Sequence, residues 1–219
     1  MCMKTRRRPV YTSMKAFYTL FIAACALGLS VATLKAETSQ PTPPQTVESY
    51  FNQLETYKAT FTQVNPDGSR QSGTFYLNRP RKFLWQYNNP LPHKLISTGG
   101  RMFFIDGDGG QVTHILLNSG LSAVLTQETF NLDNFKMIDN LQNDAEIGVT
   151  LSLPEADELA QGNVRLVLAR DPLRLKALTT ISPLGETTRV TFSQVQQNIP
   201  LDNDLFEYTP PHEQDYLLN

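Results

Sequence analysis

Lys58-Ala59-Thr60-Phe61-Thr62-Gln63-Val64, then Asn65-Pro66-Asp67-Gly68, then Gln71 to Asn78 (QSGTFYLN) is the stretch that decides the fold. Apolar and polar residues alternate on both sides of an Asp-Gly pair. A period of two marks a half-buried strand, and Asp-Gly tolerates the positive φ of a tight hairpin turn. The stretch predicts two antiparallel strands, Lys58 to Val64 and Gln71 to Asn78.

The pattern continues toward the C-terminus. Phe83, Trp85 and Tyr87 alternate on a third strand that ends near Pro90 and Pro92. Lys94 to Ser97, Met102 to Asp106 and Gln111 to Leu116 give three more, punctuated by Gly99-Gly100 and Gly107-Asp108-Gly109-Gly110. Glu146 to Leu153, Val164 to Arg170, Leu173 to Ser182 and Glu186 to Val195 follow, with turns at Pro172 and Pro183-Leu184-Gly185. About ten short strands joined by tight turns favour an antiparallel up-and-down sheet over βαβ units. The interruption is Asn118 to Leu132, where Leu121, Val124 and Leu125 have helical spacing. It predicts a short apolar helix, with a second helical piece at Asn131 to Met137. Toward the N-terminus, Val47, Tyr50, Phe51 and Leu54 predict an amphipathic helix over Thr46 to Leu54.

The chain of 219 residues carries a formal charge of −2, but the charge is unevenly spread. Residues 1–36 hold six basic residues and no acid, which leaves residues 37–219 at −8. An acidic body is a poor match for nucleic acid, whose binding rests on neutralising phosphates. Lys4, Arg6, Arg7, Arg8 and Lys15 precede the apolar run Ala16 to Ala32, and Leu34-Lys35-Ala36 offers a cleavage point. That is the layout of a secretory signal, so residues 1–36 are expected to be removed. Ile22-Ala23-Ala24-Cys25 also resembles a bacterial lipobox, in which Cys25 would be acylated. Glu37 to Gln45, with Pro41, Pro43 and Pro44, reads as an extended proline-rich tether. Residues 46–219 form the expected single domain.

A search for catalytic sets is empty. Cys2 and Cys25 both lie in the leader, so the body has no thiol for a disulfide, zinc site or nucleophile. His93, His114 and His212 lack the i, i+4 spacing of a helical metal pair. Asp106 to Gly110 has the look of a calcium loop, but its twelfth position is Leu117 rather than a bidentate Glu. No nucleophile elbow, P-loop or dinucleotide fingerprint occurs. The expectation is a non-enzyme without metal or cofactor. What stands out is apolar bulk on a sheet: Phe61, Phe75, Leu77, Phe83, Trp85, Phe103, Ile105, Leu166, Leu168 and Phe192. Periodicity leaves two readings open. One is a two-layer core; the other is a curved sheet around an apolar cavity capped by short helices.

A resemblance bears on that choice. Ala59-Thr60-Phe61-Thr62-Gln63, Gly73-Thr74-Phe75-Tyr76-Leu77-Asn78-Arg79-Pro80 and Phe83-Leu84-Trp85, in this order, resemble the LolA family of periplasmic lipoprotein carriers. Pro90, Leu95-Ile96-Ser97, Gly99 and the closing Phe206-Glu207-Tyr208-Thr209-Pro210-Pro211 extend the match. The resemblance implies a mostly β fold, an unclosed antiparallel barrel of roughly eleven strands, with a short α-helical lid over an apolar cavity. It implies a periplasmic monomer whose interior takes the acyl chains of outer-membrane lipoproteins. Cargo would come from an inner-membrane ABC-type release complex and pass to an outer-membrane receptor. Arg79 matches the arginine that holds the family's lid shut. Phe83 and Trp85 match its aromatic lining positions, and the lining is assigned here to Phe61, Phe75, Phe83, Trp85, Leu95, Phe103, Leu121 and Leu125. Two alternatives share the fold: a lipid-anchored receptor of the LolB type, favoured by Cys25, and a periplasmic lipid-sensing interaction module.

Overall fold

The computed structural model describes residues 40–88, 92–98, 100–107, 111–115, 120–153 and 162–208, all but Gln40 within the unit Pro41–Asn219. The expected cleavage site, Cys25, residues 37–39 and the segment after Tyr208 lie outside the described residues.

The first element is a helix, α1 (Pro43–Gln53). It starts three residues before the expected Thr46, so the C-terminal part of the supposed tether is helical. Pro43 and Pro44 occupy the first turn, where a missing N–H costs nothing and φ is already helical. Thr42 precedes them, and Gln45 Oε1 accepts from its backbone N–H at 3.0 Å and its hydroxyl at 3.1 Å. Pro43 and Pro44, read as part of an extended tether, open a helix here.

Eleven strands follow: β1 (Thr56–Val64), β2 (Arg70–Asn78), β3 (Lys82–Tyr87), β4 (Lys94–Thr98), β5 (Arg101–Ile105), β6 (Val112–Ile115), β7 (Lys136–Gln142), β8 (Glu146–Ser152), β9 (Asn163–Arg170), β10 (Leu173–Ile181) and β11 (Thr187–Gln197). A second helix, α2 (Gly120–Leu125), and a 3-10 turn at Leu132–Asn134 lie between β6 and β7. Nine strands match the sequence reading within two residues at each end, and β3 is the tenth, ending at Tyr87, short of the expected stop near Pro90. β7 was missed: Met137 is in a strand, not a helical piece. Six of its seven residues are exposed, so the alternation that reveals a half-buried strand is absent.

All pairings are antiparallel, in the order β6-β5-β4-β3-β2-β1-β11-β10-β9-β8-β7. The chain meanders from β1 out to β6, crosses over through α2, re-enters at the far edge as β7 and meanders back. β11 then pairs with β1 and joins the halves. β6 and β7 remain unpaired edges, so the barrel is not closed. At the β1–β2 hairpin, Gly68 has φ 81° and its N–H donates to Asn65 O at 2.9 Å, as the Asp-Gly signal requires.

One sheet face carries the main core: Phe61 and Tyr57 on β1, Phe75 and Leu77 on β2, Phe83 and Trp85 on β3, and inward residues of β8 to β11. Val47, Tyr50 and Phe51 of α1 are buried in the same core. On the opposite face a smaller cluster, Leu84, Ile96 and Phe103, is covered by Phe206 from the 3-10 turn Asn203–Phe206. Tyr208 packs on Phe103 at 5.2 Å between ring centroids. The closing Phe-Glu-Tyr signature thus seals the outside of β3 to β5.

Candidate functional site

The apolar interior is built from rows of residues that register across the strands. Phe75, Trp85 and Leu95 are direct cross-strand partners on β2, β3 and β4, and Leu77 and Phe83 form the neighbouring row. The rings touch: Phe75–Trp85 centroids are 4.4 Å apart, Phe61–Trp85 5.2 Å, and Phe192 approaches Phe75 at 5.6 Å. Phe61, Phe75, Phe83 and Trp85 are almost completely buried together, with Leu95 packed against them. Leu125 of α2 is buried in the same cluster and Leu121 is partly buried against it.

Phe103 does not belong to this wall. It lies on the opposite face with Leu84 and Ile96, its partner across β4–β5. Its neighbour Phe104 pairs with Leu95 and takes the inner row. Met102-Phe103-Phe104-Ile105 is apolar throughout, so alternation gives no register there, and a one-residue slip exchanges the faces.

Three polar contacts hold the chain between α2 and β7 over the interior. Arg79, at the end of β2, donates through Nη2 to the backbone carbonyl of Gln127 at 2.8 Å. Asn52 of α1 donates through Nδ2 to Phe130 O at 2.9 Å and accepts from Phe130 N–H at 2.8 Å. Glu48 Oε2, one turn back on α1, accepts from Leu132 N–H at 2.9 Å. Phe130 is fully buried, its ring 4.8 Å from Phe51. Just past α2, the Thr126 N–H and hydroxyl both donate to Ser122 O, and the next residue, Gln127, presents the carbonyl that Arg79 takes.

The backbone N–H of Arg79 donates to Glu55 O at 2.9 Å, which ties the turn after β2 to the start of β1. Burial lowers the Arg79 pKa, but a guanidinium stays charged throughout the physiological range. Among the described residues its Nε is buried without a partner, as is Gln127 Oε1. The contact therefore uses part of the donor fork and leaves two buried polar atoms unpaired, each at a cost of about 1–3 kcal/mol.

The sequence singled out Arg79, but only through its Arg-Pro neighbourhood. Asn52, Glu48 and Phe130 went unrecognised. Glu48 and Asn52 are one helical turn apart, and polar residues at that spacing also describe a solvated helix face. Among the described residues, no group of three or more His, Cys, Asp or Glu could hold a metal ion, and no helix is long and apolar enough to cross a membrane.

The fold and site together define an open antiparallel barrel with a helical crossover tied over an apolar wall. Residues 52–209 match the family model of the outer membrane lipoprotein carrier protein LolA, and the chain belongs to that family. It is 31% identical over 186 residues to an outer-membrane lipoprotein carrier protein of Methylococcus capsulatus, covering 80% of this chain and 88% of that protein. It is 25% identical over 205 residues to a protein of the same name from Nitrosomonas europaea, covering 90% and 95%. Among solved structures, a LolA superfamily protein from Nitrosomonas europaea aligns with 77% of this chain and 99% of its own, at a TM-score of 0.42 and 11% identity.

Proposed function

We propose that this protein is a non-catalytic periplasmic chaperone that carries lipoproteins from the inner to the outer membrane, with their acyl chains buried in the interior beneath the α2 segment. The observation that supports this reading best is the Arg79 Nη2 bond to Gln127 O, a single charged tie from the sheet to the segment above an apolar wall. A lipidated protein cannot cross water with its chains exposed. Burial gains about 0.8 kcal/mol per CH₂, on the order of 10 kcal/mol gross for one long chain. Delivery fails if all of that is retained. A segment that prefers the closed position offsets part of the gain, because loading must first displace it.

In this reading an inner-membrane ABC-type release complex supplies the cargo and an outer-membrane receptor accepts it, with the carrier acting as a monomer. The test is release of radiolabelled outer-membrane-destined lipoprotein from spheroplasts by purified residues 37–219. A soluble one-to-one complex supports the proposal. No release by folded protein, with the cognate inner-membrane complex present, overturns it. The lipobox-like Ile22-Ala23-Ala24-Cys25 favours a second reading, an anchored receptor. Intact mass separates the two: a mature start at Glu37 without lipid fits the carrier, and acylated Cys25 fits the receptor.

A further inference from the structure

The apolar wall contains one polar group that no described residue satisfies. Trp85 is 3% exposed, and its indole N–H has no hydrogen-bond partner among the described residues. Indole nitrogen can only donate, so an acceptor must come to it. The side chains of its direct cross-strand partners, Phe75 and Leu95, carry no oxygen. Phe61, Phe75 and Phe192 are the rings around it, with centroids at 5.2, 4.4 and 6.1 Å. A buried tryptophan usually finds a partner for its N–H, and leaving that donor unpaired disfavours the closed state.

Hydrocarbon has no use for such a donor. The linkage that turns hydrocarbon into an acyl group does, because an ester or amide carbonyl is an acceptor at the end of an apolar chain. We propose that the Trp85 N–H is a specificity-determining donor for the carbonyl oxygen of an acyl linkage, so that the interior prefers acyl chains to alkyl chains of equal length. This rests on the acyl-carrier reading above and names the chemistry that reading left unspecified. The bond exists only in the loaded state, so it shifts the balance toward loading by its full worth.

Trp85 is the only tryptophan in the chain, so a ¹⁵N-labelled sample gives one indole signal. Methyl palmitate and hexadecyl methyl ether are compared as competitors of a bound apolar dye, and each is then titrated into the labelled protein. The expected result is that both displace the dye, with the ester tighter by about 5-fold, the worth of one neutral hydrogen bond. Only the ester moves the indole proton downfield and slows its exchange with D₂O. Trp85→Phe removes the ester's advantage while still binding both. Equal affinities, or an ester preference without an indole shift, overturn this inference and leave the carrier reading standing. If neither probe displaces the dye, the carrier reading falls and this inference with it. Should Trp85→Phe fail to fold, the wild-type indole comparison alone decides.

Discussion

Asn52 and Phe130 hold each other at both ends: the side-chain amide of one donates to and accepts from the backbone of the other, at 2.9 and 2.8 Å. Seventy-eight residues separate them in the chain. The side chain stands in for a neighbouring strand where the backbone of Phe130 has none. Asn52→Ala would strip both bonds from a fully buried residue, at a cost of about 1–3 kcal/mol for a stranded group. Amide exchange at Phe130 is expected to accelerate about 10-fold or more, with β1 and β2 unchanged. Unaltered exchange at Phe130 would show that Asn52 does not hold the segment.

Arg79→Leu removes the charged tie to Gln127. A hydrogen bond to a charged group contributes about 1.5–3 kcal/mol. The variant should stay folded, take up cargo readily and deliver it poorly to acceptor membranes, because nothing then favours re-closure. The measurement is the ratio of released to transferred lipoprotein. Normal transfer would refute the latch.

Gly73 pairs with Phe61 across β1–β2 and with Tyr87 across β2–β3. A Cβ built there would overlap the Gln86 carbonyl oxygen and lie 2.7 Å from Phe61 Cε1. The absent side chain is the space the Phe61 ring occupies. Gly73→Ala must displace either a ladder strand or the ring, so overpacking by about 1–3 kcal/mol or more is expected. A denaturation midpoint lower than wild type, at unchanged slope, checks it.

A bulge near Leu175 and Ala177 interrupts the β9–β10 ladder, and two tyrosines catch the freed backbone. Leu175 N–H donates to the Tyr50 hydroxyl at 2.9 Å, and the Tyr57 hydroxyl donates to Leu175 O at 2.9 Å. Burial pushes the Tyr50 pKa up to about 12, and Tyr57 is raised still further by burial and by nearby Tyr50. Tyr87 is likewise pushed up to about 12 by burial. Unfolded tyrosine ionises near pH 10, so above that pH the unfolded state sheds protons the folded state keeps. Stability should show no tyrosine-linked change below about pH 10 and fall as pH climbs toward about 12. Urea midpoints followed beside tyrosinate absorbance test this. Tyr50→Phe should flatten part of the slope and lower stability at neutral pH by stranding the Leu175 N–H.

The sheet was legible because most strands have one wet face. Alternation located ten of them, and the Asp-Gly turn set the direction of pairing. β7 escaped because both its faces are largely exposed at an edge. Phe103 was put on the wrong face because four consecutive apolar residues carry no period. The helix start was misplaced because proline ends one element and opens another with equal ease. At the site, Arg79 was reachable through a resemblance, whereas Asn52 is an ordinary polar residue until the fold brings a remote backbone to it.

The open seam between β6 and β7 has a mechanical consequence. Ile115 on β6 and Met137 on β7 sit at the free ends of inner-face rows, 37% and 46% exposed. In the β1–β11 pairing, β1 is five positions from the β6 edge and β11 four from the β7 edge. The two edges are joined through one continuous ladder, as the arms of a spring clip are joined through its back. The connection across that gap is the same chain that Arg79, Asn52 and Glu48 fasten down. On the carrier reading, releasing those ties would cost none of the ladder's own pairings, so the crossover would lift without unfolding the sheet.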